Sequence, residues 1–234
     1  MIRALVLALV IACTSTLSAQ TPAPKIIDSV AILYAQAPDG GMQMRCTATA
    51  FDTSGNDTLF LSAAHCVTAI GLGGLDYVPD TPLFLSVDDL NNKSYVRARV
   101  VEVGQRQQGY DYLILAAPLT VPLIPLGDEK EERGSIPVTN VAAPAGIGKV
   151  SFFGNVALDY IDRPLVQEED KINWGGAMLV SVPAEGGSSG SAIVSTQSGK
   201  IVGVLVGHYR SLVIAVPVSR VKSPPKEKVL FSKR

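Results

Sequence analysis

The chain has 234 residues, 47% of them hydrophobic and 18% charged, enough to bury a core in one large domain or two small ones. A formal net charge of −1 leaves no basic footprint for nucleic acid. Past the N-terminus, no apolar run is long enough to span a membrane.

In chain order, Arg3 precedes the apolar run Ala4–Ala12, and small polar residues lead to "LSAQ". This charged-apolar-small order is that of a secretory signal over residues 1–19, followed by a linker at 20–25, and it predicts a secreted or periplasmic protein. The stretch "VIAC" also has the form of a lipobox, a competing reading in which Cys13 carries a lipid anchor. Cleavage after residue 19 leaves Cys46 and Cys66, and two cysteines in an exported protein suggest one disulfide. Two Cys and two His show none of the paired spacings of a zinc site, so no metal is expected.

Short Val/Ile/Leu/Phe runs then alternate with Gly, Pro, Asp and Asn turns, and no long stretch holds a helical period. Strands are predicted near Ile26–Tyr34, Met42–Phe51, Thr58–Ser62, Pro82–Val87, Ser94–Val103 and Tyr112–Ala116. In the fifth, Val96, Ala98 and Val100 alternate with Tyr95, Arg97 and Arg99, the pattern of a half-buried strand. A Pro- and charge-rich connector follows at 117–134. Further strands are predicted near Ser135–Asn140, Lys149–Gly154, Ala177–Val182, Ser191–Ser195, Ile201–Val206 and Leu212–Val216. The expected fold class is all-β, with two six-stranded antiparallel barrels or sandwiches at 26–116 and 135–221. The tail at 222–234 reads as a solvated end preceded by a short helix.

Three stretches carry candidate chemistry. His65 lies in "FLSAAHCV", where an apolar strand gives way to small residues. Asp111, in "GYDYLILAAP", either caps a turn or accepts the Nδ1–H of a histidine. In "EGGSSGSAIV", Gly187 and Gly190 flank Ser188 and Ser189. That stretch is either a plain hairpin loop or a tight turn that aims consecutive N–H groups at an oxyanion.

Taken together, "SAAHC", "YDYLIL" and "GGSSGS" occur in the order His, Asp, Ser, and here the chain resembles the trypsin-like (chymotrypsin-fold) serine protease superfamily. "GSSGSAI" is similar to the Gly-x-Ser-Gly-Ser form of bacterial glutamyl endopeptidases, and "LVIAVPVSRV" to the last strand of bacterial trypsin-like domains. The resemblance implies a double barrel with the active site between its halves. It makes Ser189 the nucleophile, His65 the general base and Asp111 the orienting carboxylate. It also implies an oxyanion hole from the backbone N–H groups of Gly187 and Ser189, and a Cys46–Cys66 disulfide. Such a protease acts on protein or peptide substrates with no cofactor. Trypsin-like zymogens place an Asp before the serine to receive a new N-terminal ammonium. Here that residue is Ser188, and no Ile-Val-Gly-Gly start is present. Tyr112 follows the candidate acid where a small or aliphatic residue is more familiar.

Two other readings compete. "GGSSG" also fits Gly-x-Ser-x-Gly, the nucleophile elbow of α/β-hydrolases with Ser188 as nucleophile, but that fold needs an acid and then a His after the serine. Only His208 follows, no Asp does, and Glu227 lies beyond it. A catalytically inactive protease fold serving as a secreted binding module is the second. The expected function is an exported serine endopeptidase, with its P1 pocket near Val182–Glu185 and Val204–Tyr209. His208 falls a few residues late for the pocket histidine of a glutamate-specific enzyme.

Overall fold

The computed structural model describes residues 25–67, 81–88, 94–130, 132, 134–167 and 172–222. The predicted signal, linker and tail therefore lie, but for Lys25 and Lys222, outside the described residues.

Six strands form the first barrel: β1 (Val30–Gln36), β2 (Met42–Ser54), β3 (Asp57–Ser62), β4 (Leu83–Ser86), β5 (Val96–Val103) and β6 (Leu113–Ala117). All pair antiparallel, and the sheet closes in the order β1-β2-β3-β6-β5-β4. Gly55, at φ +63°, supplies the left-handed turn that folds β2 onto β3. The interior is apolar: Leu33, Ala48, Ala50, Phe60, Leu61, Leu85, Leu113 and Leu115 are completely buried. Each large side chain among them contributes about 1.5–3 kcal/mol by leaving water. On β5 the expected alternation holds, with Ala98 buried between exposed Arg97 and Arg99.

The second half begins with β7 (Pro137–Ala142) and β8 (Val150–Leu158). A two-stranded hairpin follows, β9 (Val166–Gln167) with β10 (Ile172–Asn173), and then β11 (Met178–Val180), β12 (Ala192–Ser195), β13 (Ile201–Tyr209) and β14 (Leu212–Pro217). Apart from the hairpin these strands close a second antiparallel barrel in the order β11-β14-β13-β12-β7-β8. Helix α1 (Val218–Lys222) ends the described chain. No helix among the described residues is long and apolar enough to cross a membrane.

All twelve predicted barrel strands are present, with shifted ends. Residues 26–29, expected to start the first strand, curl instead into a 3-10 turn closed by Asp28 N–H to the Lys25 carbonyl. The β9–β10 hairpin was not predicted. Two residues per strand are too few to show a period.

The connector and the last helix help to tie the halves together. The connector pairs with the start of β13, where Ile201 N–H donates to Pro125 and Gly127 N–H to Ile201. Glu132 accepts from both the backbone N–H (2.6 Å) and the hydroxyl (2.9 Å) of Ser219, capping α1 from the connector. Arg220 on α1 donates to the carbonyls of Gly109 (3.0 Å) and Gly175 (2.6 Å).

Cys46 on β2 is bonded to Cys66, in the 3-10 turn Ala64–Cys66, with Cα atoms 6.0 Å apart. The bridge closes a loop of modest length, worth about 3 kcal/mol in the chain-entropy model. Replacing both cysteines by alanine should lower the melting temperature by roughly 6–12 °C, because about 1 kcal/mol moves the midpoint of a domain this size by 2–4 °C. Differential scanning calorimetry checks this, and an unchanged midpoint would show that the bond carries no stability.

Candidate active site

β3 ends at Ser62, and the small buried residues Ala63 and Ala64 let the chain turn sharply into the 3-10 turn that presents His65. Asp111 comes from the neighbouring strand, since Ser62 of β3 pairs with Leu113 of β6. It stands just before β6, at the end of a loop whose own 3-10 turn, Arg106–Gln108, stops at Gly109 with φ +76°. A Cβ there would come within 2.6 Å of the Asn173 carbonyl and 2.8 Å of Arg220 Nη1, so only glycine fits.

The two residues meet twice. Asp111 Oδ2 is 2.8 Å from His65 Nδ1, and Oδ1 accepts the backbone N–H of His65 at 2.9 Å. This double contact fixes the imidazole's position and leaves Nε2 as its other ring nitrogen. Asp111 is wholly buried, while the His65 side chain keeps 21% of its surface exposed. Burial pushes the carboxyl up, but the charge and two hydrogen bonds of His65 and the charge of Arg106 outweigh it, so Asp111 is held below the usual carboxylate range. Arg106 Nε lies 3.3 Å from the same Oδ2.

The serine stretch forms a tight turn. Ser188 N–H donates to the Glu185 carbonyl at 2.9 Å, and Gly187, the third residue, has φ +94°. An i to i+3 bond with a left-handed third residue is a type II turn, which requires glycine there. The next peptides are tied down too: Gly190 N–H to Leu205 O, and Ser191 N–H to Ser188 O. Among the described residues, the N–H groups of Gly187 and Ser189 donate to no protein acceptor, and neither residue is buried. Two neighbouring unpaired donors therefore flank the partly exposed Ser189 turn.

Thr47 on β2 holds this turn. Its N–H donates to Ser189 O (2.9 Å), and its hydroxyl donates to Gly187 O (2.8 Å) while accepting from Ala143 N–H (3.0 Å). A Cβ on Gly190 would lie 2.4 Å from the Thr47 carbonyl and 2.9 Å from Ala63 N, so the serine turn sits directly on the segment leading to His65. From beneath, Asn140 Nδ2 donates to Ser191 Oγ (2.8 Å), whose hydroxyl donates to Ser188 O (2.6 Å). Ser188 itself is buried, and its Oγ accepts Glu185 N–H at 3.2 Å.

The structure thus brings His65 and Asp111 into contact and seats the serine turn against Thr47 and the Ser62–Ala63 segment that leads to His65. Asp88, a carboxylate after β4, is half-buried and accepts from the Ser94 backbone N–H, away from His65. Tyr112 is buried, with its hydroxyl donating to Glu102 Oε1 at 2.6 Å. Burial and the Glu102 carboxylate push its ionisation far above the usual phenol range. Cys46, His65 and Cys66 bring ligand-type atoms within 4.8 Å of one another. Both sulfurs are consumed in the disulfide and Nδ1 faces Asp111, so that cluster does not offer a metal its ligands. His208 is exposed on β13, beyond the last β12 partner at Val204. From Val206 to Tyr209, β13 pairs with β14 alone among the described residues, leaving its other edge open next to the serine turn. Sequence reasoning missed Thr47, Arg106, Asn140 and Ser191. Ser191 lies within the "GGSSGS" stretch but was given no role there, and Thr47, Arg106 and Asn140 lie in no motif.

A family model described as a trypsin-like peptidase domain matches residues 46–204, a span that includes His65, Asp111 and Ser189. No curated protein matches the chain in sequence. Among solved structures, the chain is similar to the HtrA-type protease AlgW with a decapeptide, at TM-score 0.59 and 15% identity, covering 82% of this chain and 61% of that one. It is also similar to a variant of AlgW with a tripeptide, at TM-score 0.61 and 15% identity, covering 84% of this chain and 58% of that one. The chain therefore spans less than two thirds of the length of these proteins, and at such identity the likeness speaks for the fold. With two closed six-stranded barrels and a family match over more than half its length, the chain belongs to the trypsin-like peptidase domain family.

Proposed function

We propose that the protein is an exported serine endopeptidase in which Ser189, His65 and Asp111 act as a triad. One observation carries the reading. A histidine locked to a buried carboxylate stands beside a serine turn that leaves two N–H donors unpaired. A plain hairpin loop needs neither feature.

In the proposed mechanism a peptide lies along the open edge of β13 and adds its backbone to the sheet. Ser189 Oγ attacks the scissile carbonyl carbon as His65 Nε2 takes the hydroxyl proton. Asp111 keeps Nδ1 protonated and stabilises the imidazolium that forms. The carbonyl oxygen, now negative, accepts from the N–H groups of Gly187 and Ser189. Collapse of the tetrahedral species breaks the C–N bond, and the imidazolium proton goes to the leaving amine. Water then enters, gives its proton to Nε2 and releases the acyl group, restoring Ser189. Export rests on the Arg3 and Ala4–Ala12 pattern. Peptide as substrate class is supported by the bound peptides of the AlgW structures.

A fluorophosphonate probe separates this from the binding-module reading, since an activated Ser189 displaces fluoride and forms a stable O–P bond. Labelling that maps to Ser189 supports the enzyme; none in folded protein sinks it. In kinetics, Ser189→Ala and His65→Ala should each lose on the order of 10⁴-fold or more in kcat, because triad members act as a unit. Asp111→Asn should fall by roughly 10⁴-fold, as the amide favours the wrong imidazole tautomer. Ser188→Ala removes one hydrogen bond within the turn and should cost less than about tenfold. Comparable losses at Ser188 and Ser189 in folded proteins would remove the basis for choosing Ser189.

Ser188 finds its partner inside the turn, so the site needs no buried N-terminal ammonium. Extending the N-terminus left after residue 19 by a few residues should leave activity unchanged. A large loss in that assay would show that a processed terminus is part of the site.

A further inference from the structure

Arg106 is absent from the triad reading, yet it touches the triad's carboxylate. We infer that Arg106 is a positioning residue that shares Asp111 with His65 and sets how far into acid the site can work. The inference rests on the proposed triad.

The geometry is specific. Asp111 Oδ2 is 2.8 Å from His65 Nδ1 and 3.3 Å from Arg106 Nε, while Oδ1 is taken by the His65 backbone N–H. Asp111 is fully buried and the Arg106 side chain is only 22% exposed. A buried carboxylate is costly unless matched by charge. In the resting site the imidazole must be neutral to act as a base, so its ring supplies a dipole and not a countercharge. Arg106 supplies that countercharge. Without it, the buried carboxylate would be held ionised less far into acid, and its grip on Nδ1 would be lost sooner as the pH falls. At neutral pH the carboxylate is ionised with or without Arg106, so the effect on the rate there is smaller than the effect on the acid limb.

The other charged and titratable groups around this loop are already engaged. Arg220, from α1, bonds the carbonyls of Gly109 and Gly175 and lies over the Tyr110 ring at 4.9 Å. Glu102, from β5, accepts from the Tyr112 hydroxyl. Among the described residues, only His65 and Arg106 place a cationic nitrogen within 4.0 Å of Asp111. Arg106 is held in place by its 3-10 turn, which Gly109 terminates and Arg220 pins to the second barrel.

The test uses the full chain and the second-order rate of fluorophosphonate labelling from pH 4 to 8. Arg106→Met should move the acid limb upward by about one pH unit, with a smaller effect on the neutral plateau. Arg106→Lys should return the limb toward the parent position. An acid limb in Arg106→Met that coincides with the parent's overturns the inference. A parent that never labels refutes the triad reading instead, and the pairing is then judged in Ser189→Ala protein by urea unfolding. Asp111 is held below its ordinary range, so the stability it gains is present above that range and is lost as pH falls through the lowered native value. The destabilisation caused by Arg106→Met should therefore be largest at pH 7 and shrink toward pH 3. A destabilisation independent of pH would mean that Arg106 only packs, and would overturn the inference by that route.

Discussion

Two adjacent residues on one strand hold both sides of the site. Cys46 reaches through the first-barrel core to the histidine turn by a covalent bond, and Thr47 reaches to the serine turn by two hydrogen bonds and to Ala143 by a third. Neighbours on a β-strand point to opposite faces, so β2 can brace one turn on each side without moving. The distance between the His65 and Ser189 turns is then set by the rigid closed barrel. Loops alone would leave it variable, and effective catalysis in the proposed mechanism depends on a fixed approach.

Glycine is needed where these turns pack most closely. Gly187 must be left-handed to turn its N–H outward, and a side chain there would also strike the Ala143 carbonyl at 2.6 Å. Gly190 lets the serine turn come within contact of Thr47 and Ala63. Below them, buried Asn140 and Ser191 bond to each other and to Ser188 O, so the turn is supported from within the second barrel. Ser188, which stands where trypsin-like zymogens carry an aspartate, is uncharged and bonded inside the turn. A neutral network needs no desolvated charge pair to hold its shape.

Charge is concentrated instead at Asp111. Among the described residues it is the one carboxylate that is completely buried, and His65 and Arg106 converge on the same oxygen. The loop that delivers Asp111 is itself tied to α1 through Arg220, and α1 is capped by Glu132 from the connector. A chain of polar contacts therefore runs from the connector, through the last helix, to the acid. Each link is a hydrogen bond with a defined direction, which orients the loop more tightly than apolar packing would.

Much of this was legible in the sequence. Short apolar runs punctuated by turn residues implied two sets of six strands, because burial on one face and tight reversals both leave periodic marks. The motifs around His65, Asp111 and Ser189 implied their shared chemistry, and two cysteines implied one bond. Strand ends were less legible: β8 runs on to Leu158 and β13 to Tyr209, since pairing partners and not propensity decide where a strand stops. The supporting roles of Thr47, Arg106, Asn140 and Ser191 carry no local signature. Arg106 and Ser191 have partners a few residues away, but Thr47 and Asn140 find theirs far along the chain, as Thr47 and Gly187 do at a separation of 140 residues. A hydrogen bond or ion pair between such distant residues exists only once both barrels have closed, so tertiary structure alone decided which polar side chains would hold the site.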